Sequence, residues 1–203
     1  KVFDENVRTL QVTLNDNPLL PPVLSLEKTS YLRISWDEMS HEYHRYIYRI
    51  QHCTRNWEPT EGLFESDYLH GTNDLPVEDY EYSFNTTQNY THYSMTFPNK
   101  DANVLLSGNY KLLVFNEDDM DGGPSIEVRF QVVEDEMPVS MQVSSNTDID
   151  FNAQHQQVTL SLNYGTCRVT DPYNQIHAVV MQNRRPSHTV AGVRPDVNKA
   201  NGL

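Results

Sequence analysis

Hydrophobic and polar residues alternate with a period of two along most of this chain, which is the pattern of half-buried β-strands. The alternation is clearest in residues Tyr31–Trp36 and Tyr43–Cys53. In the second segment Tyr46, Tyr48 and Ile50 would share one face of a strand. No stretch repeats with a helical period. The chain is therefore predicted to be all-β.

Shorter strand candidates follow one another closely, separated by turns that contain Gly, Pro, Asn and Asp. In the first part of the chain they are Arg8–Leu14, Val77–Phe84, His92–Phe97, Val104–Leu106, Tyr110–Phe115 and Ser125–Val133. Residues 61–76 are predicted to form a long loop with one helical turn near Leu63. Short strands at this spacing are typical of an immunoglobulin- or fibronectin-III-like β-sandwich.

A domain boundary is predicted at the acidic tripeptide Glu134–Glu136, which is followed by Pro138. It divides the chain into a sandwich over residues 1–135 and a second sandwich over residues 136–203. The strand candidates of the second domain are Val139–Ser145, Gln157–Tyr164 and Gln175–Gln182. Three or four strands are too few to close a sandwich, so we expect the second domain to be incomplete in this chain.

Tyr110 follows Gly108 at the entry to a late strand. This arrangement resembles the tyrosine corner of sandwich domains, in which the tyrosine hydroxyl bonds back to the backbone a few residues upstream. The motif supports the fold class and is silent on function.

Charge is distributed unevenly between the two predicted domains. Residues 1–135 carry 23 Asp and Glu against 10 Lys and Arg, a net charge of -13, whereas residues 136–203 carry five of each. Such an acidic first domain repels nucleic acid and anionic lipid. No apolar run approaches the roughly 20 residues of a membrane-spanning helix. Cys53 and Cys167 lie in different predicted domains, so we expect two buried free thiols and no disulfide.

Metal binding has weak candidates in two acidic segments. Asp119 and Asp121 precede Gly122, and Asp148 and Asp150 would share one face of an extended segment, which suits a hard cation such as Ca²⁺. A solvated hairpin tip and side-chain turns are the favoured interpretations. The histidine pair His41 and His44 has the wrong spacing for a helical zinc motif.

No nucleophile elbow, phosphate loop or dinucleotide fingerprint occurs. The chain is therefore predicted not to be an enzyme and to bind no cofactor. A modest basic group in the second domain is the candidate contact with an acidic partner. Its members are Arg168, Arg184, Arg185 and Arg194.

Several stretches together resemble one family. They are Lys1–Pro22, Ser40–Cys53, Gly62–Leu69, Asp79–Thr87, Ser144–Asn152 and Val180–Arg185. With these residues the chain resembles the type IX secretion system plug protein family of Bacteroidetes, formerly a domain of unknown function. The likeness runs across nearly the whole chain, and members of the family are longer than this chain.

The resemblance implies an export signal that has been removed and a periplasmic location at the outer membrane. It also implies a non-catalytic role, in which the protein occludes the periplasmic end of the outer-membrane translocon pore. The resemblance implies no catalytic residue and no cofactor.

Two other classes of function stay open at this stage. A carbohydrate-binding or surface-adhesion module is the alternative, because exposed aromatic rings would stack on sugars; the candidates are Tyr43, Trp57, Tyr68, Tyr80 and Tyr90. A hydrolase with accessory sandwich domains would require a nucleophile and base that the sequence does not indicate.

Overall fold

The computed structural model describes residues 1–40, 42–149, 154–165, 167–183 and 188–194. The chain divides into two compact units, unit 1 (Lys1–Glu134) and unit 2 (Asp135–Leu203). Strands are the main secondary structure of the described residues and helix is scarce, which confirms the all-β sandwich class predicted from the period-two pattern.

Unit 1 contains two facing sheets and a small strand pair. Its strands are β1 (Val7–Leu14), β2 (Val23–Ser25), β3 (Leu32–Glu38), β4 (Tyr46–Cys53), β5 (Leu69–Gly71), β6 (Leu75–Pro76), β7 (Asp79–Tyr82), β8 (Thr91–Phe97), β9 (Ala102–Val104), β10 (Gly108–Asn116) and β11 (Ile126–Val133). One sheet has the order β1-β3-β8-β7, the other has the order β2-β11-β10-β4-β6, and β5 pairs with β9. The helix α1 (Glu65–Tyr68) precedes β5, and a 3-10 helix (Glu117–Gly122) joins β10 to β11.

Three aromatic rings join the two sheets at the centre of unit 1. Trp36 of β3 stacks on Tyr93 of β8 with ring centroids 5.5 Å apart and an interplanar angle of 11°. Tyr46 of β4, in the opposite sheet, meets both rings edge-on at 5.5 and 4.9 Å. Such offset-stacked and edge-to-face pairs are the favoured aromatic geometries. Tyr48 and Ile50 are buried as well, so the face that they were predicted to share with Tyr46 is the face that points into the core.

The predicted tyrosine corner is present. The Tyr110 hydroxyl donates a hydrogen bond of 2.8 Å to the Leu106 carbonyl oxygen, four residues upstream. The ring itself is fully buried and stacks on Phe130 of β11 at 5.4 Å. The corner therefore anchors the start of β10, the strand that pairs with both β4 and β11.

The segment 61–76 is more structured than the loop that its sequence predicts. The helical turn is α1, and after it β5 pairs with β9 and β6 pairs with β4. Strands of two or three residues are too short to show an alternating pattern. Gly71 ends β5 with φ +107°, and a Cβ atom at this position would lie 1.9 Å from the Asp101 carbonyl oxygen.

Unit 2 consists of two hairpins in the described residues. The first joins β12 (Val139–Ser144) to β13 (Gln157–Leu162), and the second joins β14 (Ala178–Met181) to β15 (Thr189–Val193). The predicted strand Gln175–Gln182 begins too early, because Pro172 opens a short helix, α2 (Pro172–Gln175).

The hairpins of unit 2 leave apolar side chains exposed. Val139, Met141 and Val143 lie on one face of β12 and are 60%, 63% and 50% exposed, respectively. Within the described part of unit 2, Tyr164 is the buried hydrophobic residue. Two separate hairpins of this kind do not close a sandwich by themselves. Across the described residues, no helix is long and apolar enough to cross a membrane.

We predict that Tyr110→Phe destabilises unit 1 by about 1 kcal/mol, because it removes one net hydrogen bond and leaves the buried ring in place. Tyr82→Phe is the matched control, since that ring is 62% exposed, and it should leave stability unchanged. Urea unfolding of both variants measures the difference. Equal stability of the two variants would contradict a structural role for the corner.

Gly71→Ala should destabilise unit 1 far more than Gly62→Ala. Both glycines have positive φ, so each alanine adds about 1–2 kcal/mol of backbone strain. At Gly62, however, nothing lies within 4 Å of the added Cβ, whereas at Gly71 it collides with a backbone carbonyl group. Thermal unfolding compares the stability of the two variants. A similar loss of stability in both would show that β5 and β9 do not pack closely at Gly71.

Candidate interaction surface

The acidic candidates for metal binding lie on the surface. Asp119 and Asp121 belong to the exposed 3-10 helix between β10 and β11, and Asp119 Oδ1 accepts a hydrogen bond of 3.2 Å from the Gly122 N–H. Asp148 is also exposed, whereas Asp150 and His41 lie outside the described residues. Among the residues that the structure describes, no three His, Cys, Asp or Glu side chains are grouped so as to hold a metal ion.

The candidate basic group is only partly described. Arg168 and Arg194 are exposed, and the Arg194 guanidinium lies 4.3 Å from the centroid of the Tyr173 ring, a cation–π contact. Arg184 and Arg185 lie outside the described residues. A common contact surface for the four arginines therefore stays a prediction.

Both cysteines are free thiols, but their environments differ. Cys53 is buried, and burial raises the pKa of its thiol, which makes it a poor nucleophile. Cys167 is partly exposed, so the prediction of two buried thiols is wrong for this residue. Its Sγ lies 3.8 Å from Glu136 Oε2, at the start of unit 2.

A serine–histidine pair that sequence reasoning missed lies between β3 and β4. Ser40 Oγ is 3.0 Å from His44 Nε2, and His44 Nδ1 is 3.6 Å from Asp118 Oδ2. The three side chains follow one another in the order of a catalytic triad, with Ser40 in the place of the nucleophile, His44 in that of the base and Asp118 in that of the acid. The Ser40 hydroxyl, however, donates its hydrogen bond to Glu38 Oε2 at 2.8 Å. His44 therefore donates to the hydroxyl oxygen, and the pair does not activate a nucleophile.

The five aromatic candidates do not form a flat surface for sugars. Tyr68 is buried, and Tyr90 and Trp57 are half-buried. Tyr43 and Tyr80 are exposed and in contact, with ring centroids 4.7 Å apart, but their rings are tilted by 45°. A flat row of exposed rings, which would support carbohydrate binding, is therefore not formed by these five residues.

Exposed aromatic side chains instead follow the outermost strand of the four-stranded sheet. All residues of β7 are exposed, and Tyr82 lies 5.6 Å from Tyr80 in an edge-to-face arrangement. Tyr82 is 62% exposed and Phe84, two residues further on, is 85% exposed. The period-two spacing of these rings was visible in the sequence, but their place at a sheet edge was not. We call residues 79–84 the β7 edge.

The part of the chain that contains the β7 edge is strongly acidic. Residues 56–99 contain eight Asp and Glu and no Lys or Arg. At least seven of the ten Lys and Arg side chains of unit 1 lie within 4 Å of a carboxylate, which reduces their effect on the surrounding field. Unit 1 therefore presents a negative potential that attracts cationic partners.

Unit 1 is also the part of the chain that matches a known family. Residues 7–134 match the family model of the type 9 secretion system plug protein, first domain. The chain belongs to this family. The family is named for a plug protein of the type 9 secretion system.

Comparison with solved structures bears on the fold of the chain. A crystal structure of a hypothetical protein from Parabacteroides merdae superposes with a TM-score of 0.91 and 31% identity, covering 99% of this chain and 50% of that chain. This plug-family chain thus spans about half the length of that relative. An alkylpurine DNA glycosylase, AlkC, from Pseudomonas fluorescens aligns with a TM-score of 0.29 and 12% identity over 63% of this chain and 30% of that chain, a likeness too weak to support an argument. No curated protein matches.

On the outer face of the five-stranded sheet of unit 1, the carboxylate of Glu127 lies among positively charged side chains. Glu127 Oε1 accepts a hydrogen bond of 2.7 Å from Arg129 Nε, and Lys111 Nζ lies 3.8 Å from Glu127 Oε2. Burial on its own would raise the pKa of Glu127, but the hydrogen bond and the neighbouring positive charges outweigh it and hold this pKa below its usual range.

Glu127→Gln is expected to destabilise unit 1 by about 1–2 kcal/mol at neutral pH, because it removes charge-assisted hydrogen bonds. A carboxyl with a lowered folded-state pKa stabilises the fold above its unfolded pKa, and this contribution disappears as the pH falls through the folded pKa. The difference from the unmodified protein should therefore begin to shrink as the pH falls to about 4, near the unfolded-state pKa, and vanish only below the lowered folded-state pKa. Unfolding measured across pH tests this, with the exposed Glu61→Gln as control. If the two proteins differed in unfolding free energy by the same amount at all pH values, the lowered pKa of Glu127 would be contradicted.

Proposed function

We propose that this chain is a non-catalytic periplasmic component that occludes the periplasmic end of the outer-membrane translocon pore in type IX secretion. The observation that carries the proposal is the match of residues 7–134 to the first domain of the plug protein family. The physical properties of unit 1 supply further support.

A plug has to keep its shape while it fills a pore opening. Unit 1 meets this requirement, because Trp36, Tyr46 and Tyr93 pack between its two sheets with at most 1% exposure. Close-packed interiors of this kind resist compression. The rigidity of the fold therefore suits a role in obstruction.

A plug also has to leave when cargo arrives, so its contact with the pore has to be reversible. Polar and charged interfaces give orientation and fast association without the permanence of a large apolar interface. Residues 56–99 carry eight carboxylates and no Lys or Arg, and this excess of negative charge suits such a contact. They require a pore surface or a pore-associated segment that is positively charged.

Absence of catalysis is part of the proposal. The Ser40 hydroxyl donates to Glu38, and burial keeps the Cys53 thiol protonated, so neither residue is prepared for nucleophilic attack. Binding to a macromolecule accounts for the charged surface without a chemical step.

An affinity experiment tests the proposal. The tagged chain is incubated with detergent-solubilised outer membranes from a bacterium that has a type IX system, and the bound proteins are identified by mass spectrometry. The translocon pore should be recovered in low salt, and recovery should fall at about 1 M salt because the charges are screened. An unrelated immunoglobulin-like domain of similar net charge is the control. Failure to enrich the pore over this control would contradict the proposal.

A further inference from the structure

Among the described residues, no strand pairs with the outer side of the β7 edge. The Ser83 N–H donates to the Tyr90 carbonyl oxygen at 2.9 Å, which makes Ser83 a hydrogen-bonded partner of β8. In an antiparallel pair such residues alternate with residues whose backbone groups point away. With the register Glu81↔His92, the N–H and C=O groups of Tyr80 and Tyr82 therefore point to the open edge.

Two chemically different rows of side chains flank this edge. Tyr80, Tyr82 and Phe84 lie at alternate positions and expose aromatic surface on one side. Asp79 and Glu81 lie on the other side and are exposed as well. A strand added along β7 would meet rings on one face and carboxylates on the other.

The charges of the β7 edge also indicate which strand fits. Exposed edges are commonly blocked by Lys, Pro or a bulge, and residues 79–84 contain neither Lys nor Pro. A second copy of this chain would bring its own Glu81 and Asp79 against the same carboxylates, and like charges on paired strands are destabilising. A strand that carries Arg or Lys would meet attraction instead, from the carboxylates and from the ring faces.

We propose that the β7 edge binds an extended segment of a translocon protein by strand addition, with apolar side chains alternating with Arg or Lys. The apolar side chains lie on Tyr80 and Tyr82, and the cationic side chains lie beside Asp79 and Glu81. Main-chain hydrogen bonds supply affinity and the alternating side chains supply specificity. The inference rests on the proposed function for the origin of the segment, and on the geometry of β7 for its chemistry.

The first test uses a short synthetic peptide that alternates Arg and Val, titrated into the full chain by calorimetry. A peptide of the same composition, with Arg and Val in separate blocks, and a peptide alternating Glu and Val are the controls. The alternating Arg peptide should bind at least about tenfold more tightly than either control. Hydrogen exchange should show new protection of the Tyr80 and Tyr82 amides.

Three variants separate strand addition from general attraction. Tyr82→Pro removes an outward N–H that the pair with β8 does not use, so the sheet should survive and binding should be lost. Tyr82→Phe keeps both the ring and the N–H and should bind normally. Phe64→Ala removes a ring that is 76% exposed and not part of the β7 edge, and should also bind normally. If Tyr82→Pro does not fold, amide protection in the unmodified chain decides the question.

The inference is overturned if the block peptide binds as tightly as the alternating one, or if protection appears away from residues 79–84. Normal binding by a folded Tyr82→Pro variant would overturn it too. Recovery of the pore without peptide binding would remove the β7 inference and leave the proposed function intact. Peptide binding without recovery of the pore would overturn the proposed function and the translocon origin of the segment, and would leave strand addition at the β7 edge supported.

Discussion

The packing of Trp36 between Tyr93 and Tyr46 is the interaction on which the rest of unit 1 depends. It joins the two sheets at their centre, and it fixes β8, the strand that carries β7. The Tyr93 hydroxyl donates to the His44 carbonyl oxygen at 2.8 Å and accepts from the His44 N–H at 3.1 Å. Burial raises the pKa of Tyr93 to about 12, so the hydroxyl keeps its proton and both hydrogen bonds persist at physiological pH.

This core has a direct consequence at the surface. Because Tyr93 holds the backbone of His44, the neighbouring Tyr43 lies against Tyr80 on the β7 edge. Tyr80 in turn is paired with Tyr93 across β7 and β8. The exposed aromatic row is thus continuous with the interior, and its position does not depend on a flexible loop. A surface fixed in this way binds a partner with little loss of conformational entropy.

The sequence predicted the elements whose side chains alternate over six residues or more. The strands β3, β4, β8, β10 and β11 are of this kind, and one face of each is buried, which is what produces the pattern. The strands β2, β5 and β6 have two or three residues, and a period of two cannot be read from so few positions.

The interaction surface was less predictable because it depends on contacts between distant residues. Alternating aromatics were visible in Val77–Phe84, but only the order of the sheet shows that β7 has β8 as its one neighbour among the described strands. The burial of Tyr68 and the proximity of Ser40 to Glu38 and His44 likewise arise from tertiary packing. Charge was the exception, since the acidic stretch 56–99 lacks cations whatever the fold.

The central claim is that this sandwich acts by binding a translocon component through the β7 edge, with no chemical transformation. Site-specific photo-crosslinking in living cells tests it most directly. A photoreactive amino acid replaces Tyr82 in one strain and Phe64 in another, and the adducts are identified by mass spectrometry. The account predicts adducts to the outer-membrane translocon from position 82 and none from position 64. Absence of translocon adducts from position 82, or equal yields from both positions, would contradict it.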